Sequence, residues 1–197
     1  MIPLAFSQNI NQCLPSLKEL ELTATHRLLR TPDFGGMSCL QKLKIEYCSC
    51  LEEIHPSLGS HESIVSIYIK GCDKLRKFPT VIWMKKLKIL EFSSCEELRE
   101  FPEIQSNMDS LVNLCLYKVG IEVLPSSVGE YCTNLVVIKL VASNLKRIEG
   151  NFRALKHLRE FEFTGSTHLE KLPKDLFDEN CCLNELSLPE MRQKIPP

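Results

Sequence analysis

Residues 87–102 read LKILEFSSCEELREFP, and the spacing of their apolar side chains sets the local fold. Leu90 and Phe92 alternate along the chain in the way that side chains on one face of a β-strand must. We therefore predict a short strand that buries these two side chains and turns Glu91 to the opposite face. Pro102 has no N–H to donate, so it predicts that no further strand follows.

The same pattern occurs eight times along the chain. Each unit opens with Leu or Ile, and the spacings between openings are 23, 24, 23, 24, 24, 23 and 25 residues, from Leu17, Leu40, Ile64, Leu87, Leu111, Leu135, Leu158 and Leu183. This is the period of a leucine-rich repeat. We predict an α/β fold, a leucine-rich-repeat solenoid in which a right-handed arc carries a parallel concave sheet and short helical or irregular convex segments. The strands are expected at about 20–22, 43–45, 67–69, 90–92, 114–116, 138–140, 161–163 and 186–188.

The two ends of the chain depart from the pattern. Residues 1–16 lack the strand motif and are interpreted as a partial N-terminal repeat or cap, whereas 17–197 form one repeat domain of about eight repeats of 23–25 residues. Pro189 interrupts the eighth unit, and no polar capping repeat follows it. We therefore expect this chain to be a piece of a longer protein. Between strands, an apolar residue every three or four positions predicts one or two turns of helix or 3₁₀ helix, as in PTVIWMKK, PSSVGEYCTN and PKDLFDENCC.

The charge and the apolar stretches of the sequence limit which partners the chain can bind and where in the cell it is expected. With 24 basic and 25 acidic residues the net charge is −1, so no basic footprint for nucleic acid or an anionic membrane is present. No stretch approaches the roughly 18 apolar residues of a membrane span, and no signal peptide begins the chain. We expect a protein of the cytoplasm, or of the nucleus, that binds no nucleic acid, membrane or small-molecule substrate.

The positions of the cysteines and histidines do not favour a disulfide, a metal site or a catalytic site. One residue per repeat should form a buried column, made of Thr25, Cys48, Cys72, Cys95, Val119, Ser143, Ser166 and Met191. Side chains in such a column are parallel, so all ten cysteines are expected to be free thiols, and their spacing does not fit zinc. The five histidines are interpreted as solvated loop residues, and lone Trp83 as convex-side packing. We predict no catalytic, cofactor or metal site, and hence no enzyme.

Binding is expected on the concave face, where outward strand positions share one sheet. The outer strands are rich in glutamate, while the centre mixes apolar, aromatic and lysine side chains, a pattern typical of interface hot spots. Strand positions favour tyrosine, isoleucine and valine in any case. The predicted protein-binding residues are Lys44, Tyr68, Lys70, Ile89, Glu91, Tyr117, Val137, Lys139 and Val141.

Five runs carry a family resemblance. In order they read RTPDFGGMSCLQKL, LEEIHPSLG, LRKFP, LREFPEIQSNM and IEVLPSSVG. They resemble the leucine-rich-repeat region of plant TIR-NBS-LRR disease-resistance receptors, over residues 17 to about 173. Two features depart from the pattern: Glu149 replaces the usual proline after Ile148, and the eighth repeat decays at Pro189.

The resemblance implies a protein-recognition module of an intracellular immune receptor. Its partners would be a pathogen effector, a guarded host protein, or the receptor's own TIR and nucleotide-binding domains, which the repeats would restrain. It implies neither enzymatic activity nor nucleotide binding in this chain. The alternative is a substrate-recognition adaptor of a ubiquitin ligase, although its repeats are longer and lack the closing Phe-Pro or Leu-Pro.

Overall fold

The computed structural model describes residues 13–165, 169 and 182–188. These residues form twelve strands, one 3₁₀ helix at Pro56–Ser60 and one short α-helix, α1, at Ser127–Tyr131. The strands are β1 Glu19–Thr23, β2 Lys42–Glu46, β3 Ser66–Lys70, β4 Val81–Ile82, β5 Ile89–Cys95, β6 Glu103–Ile104, β7 Asn113–Val119, β8 Val123–Leu124, β9 Val137–Val141, β10 Arg147–Ile148, β11 Glu160–Thr164 and β12 Glu185–Ser187.

Eight strands form one parallel sheet, in the order β1-β2-β3-β5-β7-β9-β11-β12. Each strand pairs with its equivalent in the next repeat without a slip, so that Leu43 lies opposite Ile67 and Ile67 opposite Leu90. The predicted strands, their parallel direction and the solenoid are thus confirmed. Because every repeat places equivalent residues side by side, a position in the repeat becomes a row across the molecule.

The core lies behind this sheet. Leu90 and Phe92 are fully buried, and the two inward-facing residues of the other concave strands from β1 to β11 are likewise buried. Leu186 of β12 differs, because it is 44% exposed. Within the described residues β12 is one of the two edge strands of the sheet and has a neighbour on one side only, as β1 does at the other edge.

In each concave strand from β1 to β11, the extended backbone ends at a residue in the left-handed conformation. The φ angles lie between 49° and 69°, at Ala24, Tyr47, Gly71, Ser94, Lys118, Ala142 and Gly165. Several of these residues donate their N–H to the next repeat, as Gly71 does to the Ser93 carbonyl at 2.8 Å. This turn redirects the chain into the core.

The convex side contains more strand than the sequence predicted. The 3₁₀ helix and α1 confirm helical turns in two return segments, but PTVIWMKK instead contributes β4, which pairs with β6. Most of PKDLFDENCC lies outside the described residues. No helix in the described ranges is long and apolar enough to cross a membrane.

The expectation that Pro102 stops further strand is wrong. Proline removes only its own N–H, so the residues after it can still pair. Glu103 donates its N–H to the Thr80 carbonyl at 2.9 Å, and Gln105 donates to Ile82 at 3.1 Å. The convex pairing then breaks between β6 and β8. There Ser127 Oγ accepts the Ile104 N–H at 3.1 Å.

Candidate functional site: the concave face

The outward residues of the concave sheet form three rows. Neighbours within a row come from adjacent strands and lie roughly 4.8 Å apart. The first row is Glu19, Lys42, Ser66, Ile89, Asn113, Val137, Glu160 and Glu185. The middle row is Glu21, Lys44, Tyr68, Glu91, Cys115, Lys139, Glu162 and Ser187. The third row is Thr23, Glu46, Lys70, Ser93, Tyr117, Val141 and Thr164.

All nine residues predicted as binding residues lie in these rows, on the five strands β2, β3, β5, β7 and β9. The structure therefore brings them onto one face, over about 19 Å from β2 to β9. All are half-buried except Lys70, which is exposed. The face is concave and nothing in the described part of the chain covers it, but the binding role of these nine residues remains a prediction.

Lys44 is held by carboxylates on both sides. Its Nζ lies 2.9 Å from Glu46 Oε2 and 3.0 Å from Glu21 Oε1. Lys44 donates hydrogen bonds to both carboxylates, and these bonds raise its pKa, the bond to Glu46 most and the bond to Glu21 next. The charge of Lys44 is therefore engaged within the face rather than open to a partner.

Lys139 is engaged in the same way at the other side of the centre. Its Nζ lies 2.6 Å from Glu160 Oε1 and 3.9 Å from Glu162 Oε2. The hydrogen bond to Glu160 raises the pKa of Lys139. Both lysines thus neutralise neighbouring glutamates, and the cross-strand spacing of the repeat places each pair together.

Lys70 uses an aromatic partner that sequence reasoning missed. Its Nζ lies 5.7 Å from the ring centroid of Tyr47, within the range of a cation–π contact. Tyr47 is 50% exposed and directly follows β2. In the sequence, the only feature that could have placed Tyr47 at this face is its position one residue beyond the alternating residues of β2. Tyr47 extends the aromatic surface past the third row.

One residue at the centre is more buried than expected. Cys115 is only 8% exposed, although it points outward between Glu91 and Lys139. Burial raises the pKa of the Tyr117 hydroxyl, and the neighbouring Cys115 thiol and Glu91 carboxylate add to the rise. Tyr117 keeps its proton at neutral pH, as an ordinary tyrosine does, and can donate a hydrogen bond.

The cysteines of the predicted column are buried, whereas Thr25 at its start is half-buried. Cys48, Cys72 and Cys95 are fully buried, and Cys48 Sγ lies 2.9 Å from Thr25 Oγ1. A hydrogen bond with the Cys72 thiol, together with burial, raises the pKa of Cys48. A thiol with a raised pKa is a poor nucleophile. Nine cysteines fall within the described residues, and eight of them, all but Cys182, are free thiols, whereas Cys181 and the column members Ser166 and Met191 lie outside these residues.

His61 corrects the prediction of solvated histidines, since only 8% of it is exposed. Its Nε2 lies 3.0 Å from the Met37 carbonyl and its Nδ1 has no partner among the described residues. His61 occupies a core position because the return segment packs inward there. His26 and His157 are exposed, and His168 lies outside the described residues.

A second depression, of about 750 Å³, lies on the flank of the solenoid. Its basic lining residues are already paired: Arg76 lies 3.7 Å from Glu97, and Lys77 lies 3.8 Å from Glu53. Arg99 lies 3.9 Å from both Glu97 and Glu122. The groove therefore presents no single sign of charge. Within the described ranges no group of His, Cys, Asp and Glu could hold a metal ion.

Comparison with known proteins links the chain to plant resistance proteins. It is 36% identical to TMV resistance protein N of Nicotiana glutinosa over 168 residues, which are 84% of this chain and 14% of that protein. It is 28% identical to Disease resistance protein RPP5 of Arabidopsis thaliana over 156 residues, 79% of this chain and 10% of that protein. The chain thus spans about a seventh or less of these two relatives.

A solved structure supports the fold independently. The leucine-rich repeat domain of the type III effector XopL aligns with a TM-score of 0.67 and 24% identity, covering 86% of this chain and 59% of that one. No protein-family model matches the chain. The repeats, the solenoid and the relatives agree: this chain is a leucine-rich-repeat solenoid that is similar over most of its length to plant disease-resistance proteins, which is consistent with the repeat region of a TIR-NBS-LRR protein.

Proposed function

We propose that the concave face is the protein-recognition surface of a plant intracellular immune receptor. The face binds a pathogen effector or guarded host protein, or restrains the nucleotide-binding domain of the receptor, or does both. The site comprises the nine predicted residues, and the proposal places the protein in the cytoplasm or nucleus. It assigns no reaction and no cofactor to the chain.

One observation carries this proposal: aromatic and aliphatic side chains stand uncovered at the centre of a parallel sheet. Parallel sheets normally have both faces covered by other elements. Here the inward face covers the core, while Tyr68, Ile89, Tyr117 and Val141 face outward and are only half-buried. Such a centre within a charged rim is the arrangement of an interface hot spot.

The test separates binding from folding. Tyr68→Ala and Tyr117→Ala remove outward side chains, so unfolding in urea should stay within about 1 kcal/mol of the parent. Leu90→Ala is the matched control on the inward face and should cost about 2 to 5 kcal/mol through a cavity. Co-precipitation is then measured with co-expressed nucleotide-binding domains of this receptor class and with candidate effectors.

For a protein that binds the chain, at least one tyrosine variant should weaken binding by about 1 to 3 kcal/mol. If both variants fold and bind as the parent does, the concave centre is not the recognition surface. If both unfold as readily as Leu90→Ala, these tyrosines are part of the fold instead.

A further inference from the structure

Glu91 stands out among the charged residues of the concave face. It occupies the middle row on β5, between Tyr68 and Cys115. Within the described residues its carboxylate makes no ion pair, whereas Lys44 and Lys139, in the same row, each contact two glutamates. Both lysines are two strands from Glu91, or roughly 9.6 Å away along the row.

Lys70 is a further cation of the face, on the strand next to β5 and diagonal to Glu91. Its Nζ lies over the ring of Tyr47, which follows β2. Because β3 lies between β2 and β5, this contact draws the ammonium away from Glu91. The half-buried carboxylate of Glu91 is left without a counter-charge.

The surroundings of Glu91 suit a cation with a planar, apolar surface. Tyr68 is its direct neighbour on β3 and points to the same side of the sheet. A guanidinium group can stack on an aromatic ring while its N–H groups donate to a carboxylate. An ammonium group cannot do both in the same way, since it is a compact, strongly hydrated charge.

The net charge of the concave face also favours a positively charged partner. The outward rows contain seven glutamates and four lysines, a balance of three negative charges, whereas the whole chain carries −1. The concave face is therefore more acidic than the rest of the molecule. A partner with a basic contact surface is favoured electrostatically.

We infer that Glu91 and Tyr68 hold an arginine side chain of the protein partner. The arginine stacks on the Tyr68 ring and donates hydrogen bonds to the Glu91 carboxylate. Apolar residues beside that arginine pack on Ile89 and Tyr117. This inference rests on the proposed function, because it names the chemistry of the partner at the same face.

The test uses the full chain and a phage-displayed library of random peptides. Clones selected on the parent chain are sorted by whether they lose binding to the Tyr117→Ala variant. Clones that do so are expected to be enriched in arginine beside an apolar residue. For synthetic copies, Glu91→Gln should lower affinity about tenfold, the effect of losing a charged hydrogen bond.

Two matched controls accompany the measurement. Glu100→Gln removes an exposed carboxylate outside the concave face and should leave affinity unchanged. Replacing the peptide arginine by lysine should weaken binding to the parent chain but not to Glu91→Gln. Urea unfolding confirms that both glutamate variants are folded.

The outcomes separate the two claims. If no selected clone depends on Tyr117, recognition at the concave centre fails and the inference fails with it. If Tyr117-dependent clones lack arginine, or bind Glu91→Gln as well as the parent chain, the function stands and the arginine site is overturned.

Discussion

At the scale of single residues, His61 occupies a position that apolar side chains fill in the other repeats. The equivalent core residues include Met37, Met84 and Met108, all fully buried. A carbonyl oxygen can only accept, so His61 Nε2 carries the proton in its bond to Met37 and Nδ1 is an acceptor. That buried acceptor has no partner among the described residues, which costs free energy.

His61→Met is therefore expected to stabilise the protein. The exchange removes an unsatisfied acceptor and supplies the side chain that neighbouring repeats use, so the free energy of unfolding in urea should rise by about 1 kcal/mol. His157→Met, at an exposed position, is the control and should change it by less than about 0.5 kcal/mol. A loss of stability in His61→Met would mean that the bond to Met37 outweighs the missing partner of Nδ1.

At the scale of elements, the left-handed position at or near the end of each concave strand from β1 to β11 accepts different residues at different cost in free energy. Gly71 has a φ of 62°, and a Cβ added there would lie 2.7 Å from Tyr47 Cδ1. Ser94 has a φ of 52° although it carries a side chain. L-residues other than glycine pay for this conformation.

Two substitutions at these positions should therefore change the free energy of unfolding in opposite directions. Gly71→Ala is expected to lower the free energy of unfolding by about 1 to 2 kcal/mol, through the backbone alone, and further through contact with Tyr47. Ser94→Gly should raise it by about 0.5 kcal/mol, since relief of strain exceeds the entropy that glycine adds to the unfolded chain. Ser93→Gly, one residue earlier in extended backbone, is the matched control and should destabilise by about 0.5 to 1 kcal/mol. Equal effects of the two serine changes would show that the turn stores no strain.

The concave strands were predictable because buried apolar residues alternate with outward residues within each repeat, as Leu90 and Phe92 do on either side of Glu91. The two-residue strands β4 and β6 were not, because they are too short to show alternation and depend on carbonyls of the neighbouring repeat. The burial of Cys115 also depends on neighbours, here the longer side chains of Glu91 and Lys139. Sequence alone therefore gave the residues of the candidate face but not which of their charges are already paired.

At the scale of the whole molecule, the paired strands within the described residues come from adjacent repeats. Contacts between concave strands follow the order of the sheet, and the core is one continuous cluster behind it. In such a stack, stability is a sum of local and nearest-neighbour contributions. A defect at one end should therefore loosen that end before it affects the rest.

Leu20→Ala tests this with hydrogen exchange. Leu20 is buried on β1, the first strand of the sheet, so the variant should speed exchange of amides in β1 and β2 while β7 and β9 keep the protection of the parent. Leu90→Ala, on central β5, should speed exchange on both sides. Uniformly faster exchange from β1 to β9 in the Leu20 variant would instead indicate that the array unfolds as one unit.

The alternation of each concave strand has a consequence for divergence. Ile67 and Ile69 hold the core while Tyr68, between them, faces outward. A substitution at the outward position changes the surface without creating a cavity, so its cost in folding is small. Related chains can therefore exchange partners by varying one set of alternate residues while the other set preserves the solenoid. Cys115 marks a limit, because its buried position leaves little room for a larger side chain.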